Sequence, residues 1–457
     1  MTYLSSDVVR NDFAAAMSDM YRQEVPLYGA LLDLVAEANE GVLSNRPDIY
    51  QQLENTRNLD RIAEERHGAI RLGKASELFT MRRLFAIMGM HPVAYYDLSI
   101  AGIPVHSTAF RPIEKRALSA NPFRVFTSLL RTELIEDNEL RRQAERVLAS
   151  RNIFSDELMA LMTVAERQSG LSASQATEFI EKAVDVFRWH DEALIDEALY
   201  EQLHSSHRLI ADVVSFKGPH INHLTPATLD IDFVQAAMPQ RNITPKAVVE
   251  GPPKRDCPIL LRQTSFKALK EVVKFPDKSG LLVAGSHTAR FGEIEQRGIA
   301  LTPTGQALYD RLLNSTREQI TPKADGSNAQ QYEQILLQTF AEFPDTYTEL
   351  RKADLAYFSY SVRDATVDQV TGKGKSLEQL IELQLVSFDP IIYEDFLPVS
   401  AAGIFQSNLG NDDAAAFKQE SNQTEFERAL GATVVDRFKL YQQQQEQSIQ
   451  ACLEFFA

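Results

Sequence analysis

The spacing of hydrophobic positions divides this chain into stretches with helical periodicity and stretches with strand periodicity. Between residues 61 and 131, a strand-like run is followed by an amphipathic helix at 74–88 and then by three further strand-like runs. These four runs cover residues 66–71, 92–98, 103–110 and 123–130. The pattern predicts a unit with the order strand, helix, strand, strand, strand.

The same order of elements recurs between residues 216 and 300, although the two stretches share negligible sequence identity. Here the pattern predicts a short strand at 219–224, a helix at about 230–238, and strands at 257–267 and within 281–298. A histidine lies in the first strand of each unit. We therefore expect an α+β protein with two such units, 61–131 and 216–300.

The rest of the chain has mainly helical patterning, which gives three further regions. They are an N-terminal helical segment (1–60), a helical insertion (132–215) and a C-terminal region of helices and strands that completes the pocket (301–457). In the first region, Pro26 separates two helices and Gly41 is expected to end the second. In the last region we expect strands at 356–362 and 380–393, a loop at 404–423 and a closing helix at 424–448.

Composition and charge restrict the class of protein. The chain has 457 residues, of which 44% are hydrophobic and 24% charged, as is usual for a globular protein. A net charge of −16 argues against nucleic acid or an anionic membrane as a partner, although a locally basic pocket could still bind an anionic small molecule. No apolar run reaches the length of a membrane span.

Cysteine usage indicates the compartment. Only two cysteines occur, Cys257 and Cys452, which excludes a disulfide framework and a zinc-finger site. The first 26 residues also lack the basic and then apolar pattern of a secretory signal. We therefore expect a protein of the reducing cytoplasm. The sequence does not indicate an oligomeric state.

Residues 291–298 alternate between polar and apolar side chains, as a strand does. Glu293, Glu295 and Arg297 would point to one face of that strand. A buried row of carboxylates is costly unless the carboxylates are paired or bind a cation. One of the two glutamates could therefore bind a metal, and the alternative is a solvated strand edge with a Glu–Arg pair.

The chain has nine histidines, and three of them lie in the first strands of the two units. His67 lies in the first unit, and His220 and His223 lie in the second, where their spacing does not allow both to point inward. Two histidines and one carboxylate suit octahedral iron(II) with open positions for a bidentate substrate and dioxygen, and a zinc hydrolase could use the same ligand types. We expect ordinary polar roles for the other six, which are His91, His106, His190, His204, His207 and His287.

Four strings in this sequence resemble a known family. They are RHGAIR at 66–71, HINHLT at 220–225, HTARFGEIEQRG at 287–298 and LPVS at 397–400. Together they are similar to the bacterial 2-oxoadipate dioxygenase/decarboxylases, also called hydroxyglutarate synthases. The glutamate strand is also similar to the ligand strand of 4-hydroxyphenylpyruvate dioxygenases, and the paired units resemble the vicinal-oxygen-chelate superfamily.

This resemblance implies a fold and a set of site residues. The fold would contain two βαβββ modules that form a central sheet or barrel around a metal, with large helical insertions. The cofactor would be Fe(2+), and the choice of Glu293 over Glu295 rests on the dioxygenase-like spacing. The implied residues are His67, His223 and Glu293 as ligands, and Arg71, Val399 and Ser400 around the substrate, with no catalytic residue beyond the metal site.

The resemblance also implies a reaction. The enzyme would convert 2-oxoadipate and O2 to 2-hydroxyglutarate and CO2 in lysine breakdown, so its partners would be a 2-oxo dicarboxylic acid and O2. One alternative is a non-oxidative lyase, isomerase or hydrolase of the same superfamily with another metal. A second alternative is a non-catalytic protein in which the helical stretches 132–210 and 302–355 form a binding scaffold.

The spacing of Arg71 adds a physical expectation. Arg71 follows His67 by four residues, so both side chains share one face of a strand with Cα atoms about 13 Å apart. An arginine that leans back over this distance could meet the far carboxylate of a six-carbon dicarboxylate bound at the metal, and arginine binds carboxylate through two parallel bonds. The alternative is a salt bridge on the strand surface.

Overall fold

A computed structural model describes residues 3–56, 58–64, 66–363, 369–397 and 422–457 of the chain. Val399 and Ser400, predicted to line the pocket, lie outside the described residues. The described part is a mixed α+β structure with large helical parts, which confirms the predicted class. None of its helices combines the length and the apolar composition that crossing a bilayer requires.

The strands carry the candidate site and are numbered in chain order. They are β1 (Arg66–Leu72), β2 (His91–Asp97), β3 (Val105–Arg111), β4 (Arg124–Leu130), β5 (His223–Pro226), β6 (Leu261–Ser265), β7 (Lys270–Pro276), β8 (Leu282–Thr288), β9 (Glu293–Arg297), β10 (Phe358–Val362) and β11 (Val386–Pro390).

The helices surround these strands. They are α1 (Ser6–Glu24), α2 (Pro26–Asn45), α3 (Pro47–Asn55), α4 (Arg61–Glu64), α5 (Ala75–Ile87), α6 (Lys115–Ala120), α7 (Asn138–Ser150), α8 (Asp156–Gln168), α9 (Ala173–Asp185), α10 (Glu197–Ser206), α11 (Arg208–Ser215), α12 (Ile231–Ala237), α13 (Pro303–Gln319), α14 (Ala329–Thr339), α15 (Tyr347–Lys352), α16 (Gln369–Gly372), α17 (Leu377–Glu382), α18 (Gln423–Leu430) and α19 (Arg437–Phe455). Short 3-10 helices lie at Leu98–Ala101, Thr132–Leu134, Met238–Arg241 and Phe340–Glu342.

The main sheet has five strands in the order β2-β3-β4-β1-β5. The first four come from the run β1-α5-β2-β3-α6-β4, which is the order predicted for residues 61–131 apart from the short helix α6, which was not predicted. β1 runs parallel to β4 and antiparallel to β5. On one face of β1, Ile70 and Leu72 join the core beneath the N-terminal helices, while Ala69 joins a second core on the other face. β1 is therefore covered on both faces, although its sequence includes one histidine and two arginines as well as apolar residues.

The strands of the second predicted unit are divided among different sheets, unlike those of the first. Its first strand begins at His223 rather than at residue 219, and it completes the main sheet as β5. β6 pairs with β9 in a separate two-stranded sheet, but Ala227 bridges Glu295, and the Thr228 N–H donates to the Glu295 carbonyl at 2.8 Å. As a result β1, β5 and β9 lie side by side.

The hairpin β7-β8 was only half predicted. Residues 281–298, within which strand was predicted, contain β8 and β9 with a break between them, and β7 was not predicted. Val273 and Phe275 on β7 are buried, but Val272 beside them is 70% exposed and Val283 on β8 is 49% exposed. Because apolar residues occur on both faces of the hairpin, the sequence lacks the clear alternation by which a strand is recognised.

Two helix boundaries differ from the prediction. Helix α2 continues through Gly41 to Asn45, because a glycine inside a helix costs only about 1 kcal/mol relative to alanine. Pro47 ends it instead, since a residue that precedes a proline disfavours the helical conformation. The predicted closing helix at 424–448 is two helices, α18 and α19, separated at Gly431, which has a left-handed conformation with φ of 70°.

The strand predicted at 380–393 is shorter than expected. Its first part belongs to helix α17 and the turn after it, and only β11 is strand. Ser376 and Gln379 form a reciprocal capping box that starts α17, a local signal that outweighs the apolar spacing read as strand. The strand predicted at 356–362 is present as β10.

Candidate metal centre

His67, His223 and Glu293 come together on three neighbouring strands, β1, β5 and β9. One ligand atom from each residue lies within 4.8 Å of the others, and all three side chains are fully buried. In the β1–β5 register, His67 lies opposite Thr225 and His223 lies opposite Ala69. Opposite residues in a ladder point to the same face, so both imidazoles project toward β9, with ring centroids 5.5 Å apart.

Gly68 permits this close approach. A Cβ atom at residue 68 would lie 2.5 Å from Ile221 Cδ1 and 3.2 Å from the His223 carbonyl oxygen. The first distance is shorter than real carbon contacts, so a side chain there would push away the segment that leads to His223. The glycine next to His67 therefore helps to fix the distance between the two histidines.

Glu293 offers one carboxylate oxygen that is engaged and one that is not. Gln263 Nε2 donates to Oε1 at 2.8 Å, the Thr225 hydroxyl donates to it at 3.1 Å, and His67 Nε2 lies 3.1 Å from it. Oε2 makes no hydrogen bond with any residue in the described ranges. Burial raises the pKa of Glu293, because desolvation disfavours the charged form.

Glu295 is held by charged partners. Arg297 donates two parallel bonds to its carboxylate, Nε to Oε1 and Nη2 to Oε2, each at 2.8 Å. His67 Nδ1 lies 2.9 Å from Oε2. Although burial acts in the opposite direction, Arg297 and His67 hold the pKa of Glu295 below its ordinary value. The structure thus contains the Glu–Arg pair considered above, but buried rather than on a solvated edge.

The donor set fits a divalent transition-metal ion. Within the described part of the chain, Glu293 Oε2 and both ring nitrogens of His223 have no hydrogen-bond partner, which is costly for buried polar atoms. Burial lowers the pKa of His223 well below its ordinary value, so the ring is neutral, as a ligand must be. His67 Nδ1 faces Glu295, which leaves Nε2 for an ion, and metal-binding histidines commonly have such a carboxylate partner.

A tyrosine from the N-terminal helices joins two of the ligand-bearing segments. The Tyr21 hydroxyl lies 3.0 Å from the Asn222 carbonyl oxygen and 2.7 Å from that of Phe291. Asn222 precedes His223, and Phe291 lies two residues before Glu293. Tyr21 is fully buried, and it therefore ties the start of β5 to the start of β9.

A buried charge network connects Glu295 to the C-terminal region. Arg297 Nη1 donates to the carbonyl groups of Tyr393 and Asp395 at 2.8 and 2.9 Å. Arg124, 3.5 Å from Glu295, also binds Glu394. Residues 393–395 therefore hold the arginines that in turn hold Glu295.

Arg71 lies on the same face of β1 as His67, but it is not on the surface. Its side chain is only 10% exposed, and Nη1 lies 2.7 Å from Asp212 Oδ2. The salt bridge of the alternative interpretation is therefore present, but it lies largely inside the fold rather than on the strand surface. The proposed role of Arg71 in substrate binding stays a prediction.

A second cluster of possible metal ligands was not predicted from the sequence. Asp212, His220 and His287 place one ligand atom each within 4.8 Å of the others, and all three are buried. His287 was expected to be an ordinary polar side chain, and Asp212 was not considered. Asp212 is 141 residues from Arg71 and sits in a helix with no distinctive motif, so only the fold brings the two together.

Comparison with known proteins agrees with the resemblance. The profile of the 2-oxoadipate dioxygenase/decarboxylase family matches residues 13–408. The 2-oxoadipate dioxygenase/decarboxylase of Pseudomonas putida is 54% identical over 99% of this chain and 97% of its own length, and that of Escherichia coli is 52% identical over 98% of each. The crystal structure of the hydroxyglutarate synthase of Pseudomonas putida in complex with 2-oxoadipate superposes with a TM-score of 0.90 at 51% identity, covering 99% of both chains. This chain therefore belongs to the 2-oxoadipate dioxygenase/decarboxylase family.

Proposed function

We propose that this protein is an iron(II)-dependent enzyme that converts 2-oxoadipate and O2 to 2-hydroxyglutarate and CO2. The observation that carries the proposal is the buried cluster of His67, His223 and Glu293, in a chain whose relatives are named for this substrate and reaction. Two imidazoles and one carboxylate form the ligand set that suits iron(II) with positions left for a substrate and O2. We further propose that the protein acts in lysine breakdown in the cytoplasm.

The three candidate ligands would hold the ion, which would supply a chelation site for the 2-oxo acid and electrons for the reduction of O2. Glu295 would orient His67 through the contact at Nδ1. Arg71 would bind the distal carboxylate of the substrate on the same face of β1. The resemblance assigns Val399 and Ser400 to the pocket as well.

Apolar rings around the ligands would keep water from the reacting groups. The Phe396 ring packs edge-on against His67 with centroids 4.8 Å apart, and the Phe291 ring lies 4.8 Å from the His223 ring. Both phenylalanines are buried. A dry site of this kind limits side reactions of a reactive oxidant.

The arrangement of strands supports the finer reading of the fold. We infer that β1-α5-β2-β3-β4 forms the first vicinal-oxygen-chelate module and that β5 to β9 form the second, with the metal centre where β1, β5 and β9 meet. The domain boundaries predicted from the sequence and the closure of these strands into a barrel stay predictions.

Oxygen uptake tests the proposed function. Protein loaded anaerobically with iron(II) should consume O2 on addition of 2-oxoadipate and release one CO2 per O2. Glu293→Ala should abolish both, because it removes the only carboxylate of the triad, whereas Glu318→Ala, at an exposed position of α13, should leave both unchanged. Uptake that survives in Glu293→Ala would overturn the ligand assignment. If the metal-loaded protein takes up no oxygen, the result would favour the alternative of a non-oxidative lyase, isomerase or hydrolase.

A further inference from the structure

The cluster of Asp212, His220 and His287 lies beside Arg71 and has no part in the function proposed above. We propose that this cluster positions the Arg71 guanidinium and so sets the length of 2-oxo dicarboxylic acid that the site accepts. The inference rests on the proposed function, because it takes Arg71 as the group that binds the distal carboxylate. It gives the helical insertion a role, since Asp212 belongs to α11.

Asp212 is fixed at both carboxylate oxygens. Oδ2 accepts from Arg71 Nη1 at 2.7 Å. Oδ1 lies 2.9 Å from His287 Nε2 and 3.2 Å from His220 Nε2. A guanidinium group has five N–H donors, and the bond to Asp212 uses one of them. The carboxylate therefore helps to fix the orientation of the arginine through a charge-assisted bond.

Groups from other elements hold this carboxylate in place. The ring of His287, on β8, has its Nδ1 atom 2.8 Å from the Tyr200 hydroxyl of α10. The His220 ring packs edge-on against Trp189, with centroids 4.6 Å apart. Although burial acts in the opposite direction, His220, His287 and Arg71 hold the pKa of Asp212 well below its ordinary value, so the carboxylate stays charged beside Arg71.

A second metal ion is the competing interpretation of this cluster. The donor types would suit one, but the Arg71 guanidinium already neutralises Asp212 at 2.7 Å and adds a fixed positive charge next to any cation. Glu293 differs, because its Oε2 has no partner among the described residues. The charge balance therefore favours the role of positioning Arg71.

The position of Arg71 matters because β1 carries both ends of the proposed substrate site. His67 and Arg71 lie four residues apart on one strand face, about 13 Å between Cα atoms. A 2-oxo acid held at the triad reaches the guanidinium only when its chain length matches the reach of the arginine side chain. A fixed guanidinium selects one length, whereas a mobile one accepts several.

Calorimetric binding to the iron-loaded protein without oxygen tests the inference independently of turnover. The probes are 2-oxoadipate, 2-oxoglutarate (one carbon shorter) and 2-oxohexanoate (the same length without the distal carboxylate). Asp212→Asn should raise the Kd of 2-oxoadipate about tenfold, because a neutral amide binds Arg71 less strongly. The Kd of 2-oxohexanoate should not change, and the preference for 2-oxoadipate over 2-oxoglutarate should fall.

A milder variant covers the case in which Asp212→Asn does not fold. Tyr200→Phe removes only the hydroxyl that contacts His287 and should shift the same Kd ratio in the same direction, by about twofold to threefold. Tyr309→Phe, at a buried tyrosine in another part of the core, should leave the ratio unchanged.

Three results would overturn the inference. They are an equal loss of affinity for 2-oxoadipate and 2-oxohexanoate, an unchanged ratio in folded Asp212→Asn, and two metal ions per chain that fall to one in that variant. Oxygen uptake measured in parallel tests the proposed function separately. A wild type that binds the acids selectively but consumes no O2 would refute that function and leave the positioning role standing.

Discussion

Substitution of Glu295 by glutamine distinguishes most clearly between the roles of the two glutamates of β9. Glutamine preserves the volume but presents one acceptor and one donor group. Oε1 and Oε2 of Glu295 both face donors, from Arg297 on both sides and from His67 at Oε2. Either orientation of the amide therefore places an N–H group against another N–H group.

Two magnitudes follow from these contacts. Removal of one charge from a fully buried ion pair should lower the free energy of unfolding of the metal-free protein by about 3–5 kcal/mol. Loss of the carboxylate that orients His67 should weaken metal binding by about 10–100-fold, which corresponds to about 1.4–2.7 kcal/mol. Glu293→Gln should weaken metal binding further, because it replaces a ligand itself.

The assay is an anaerobic iron(II) titration against a competing chelator, together with urea unfolding of the metal-free protein. Glu318→Gln, at an exposed position of α13, is the matched control and should leave both quantities unchanged. If Glu295→Gln weakens metal binding more than Glu293→Gln does, the roles of the two glutamates are reversed. If Glu295→Gln binds metal as the wild type does, the contact with His67 does not support the ligand.

Two further changes test the groups around the site. Tyr21→Phe removes the hydroxyl that joins the two ligand-bearing segments and should lower the free energy of unfolding, measured in urea, by about 1–3 kcal/mol. Tyr28 is a buried tyrosine on the neighbouring helix α2, and Tyr28→Phe should cost less. Equal losses in the two variants would show that the bridge made by Tyr21 adds no stability. Although burial acts in the opposite direction, Arg61 and Arg124 lower the pKa of Glu394 to about 2, so its contribution to stability is complete above about pH 5 and is lost as the pH falls toward 2. Between pH 6 and pH 3 the wild type should lose about 2 kcal/mol more than Glu394→Gln, and parallel pH profiles of the two proteins would contradict this assignment.

The sequence predicted the first structural unit well and the second less well. The first unit has strands with buried, mainly apolar side chains and a helix with one apolar face, so periodicity was informative. In the second unit, Lys270–Pro276 has apolar residues on both faces, with Val273 and Phe275 buried and Val272 exposed, and its pairing with β8 cannot be inferred from periodicity. Local spacing does not contain information about pairing partners.

The candidate site shows the same limit. The resemblance and the shared strand face together indicated His67, His223, Glu293 and Arg71, and the structure brings the first three together. The sequence left Glu293 and Glu295 as alternatives, because both lie on one face of the strand. Their different partners, which are remote in sequence, distinguish them only after folding.

Residues that contact one another in the site are far apart in sequence, so they leave the ribosome at very different times. His67 and Glu293 are 226 residues apart, and Arg61 and Glu394 are 333 apart. At about 5–20 residues per second, roughly 10–45 s of translation separate the first histidine from the glutamate. The residues that hold Arg297 are made later still. A nascent chain therefore carries the first candidate histidine long before the carboxylate and its supports exist, so the candidate metal centre is completed only late in synthesis.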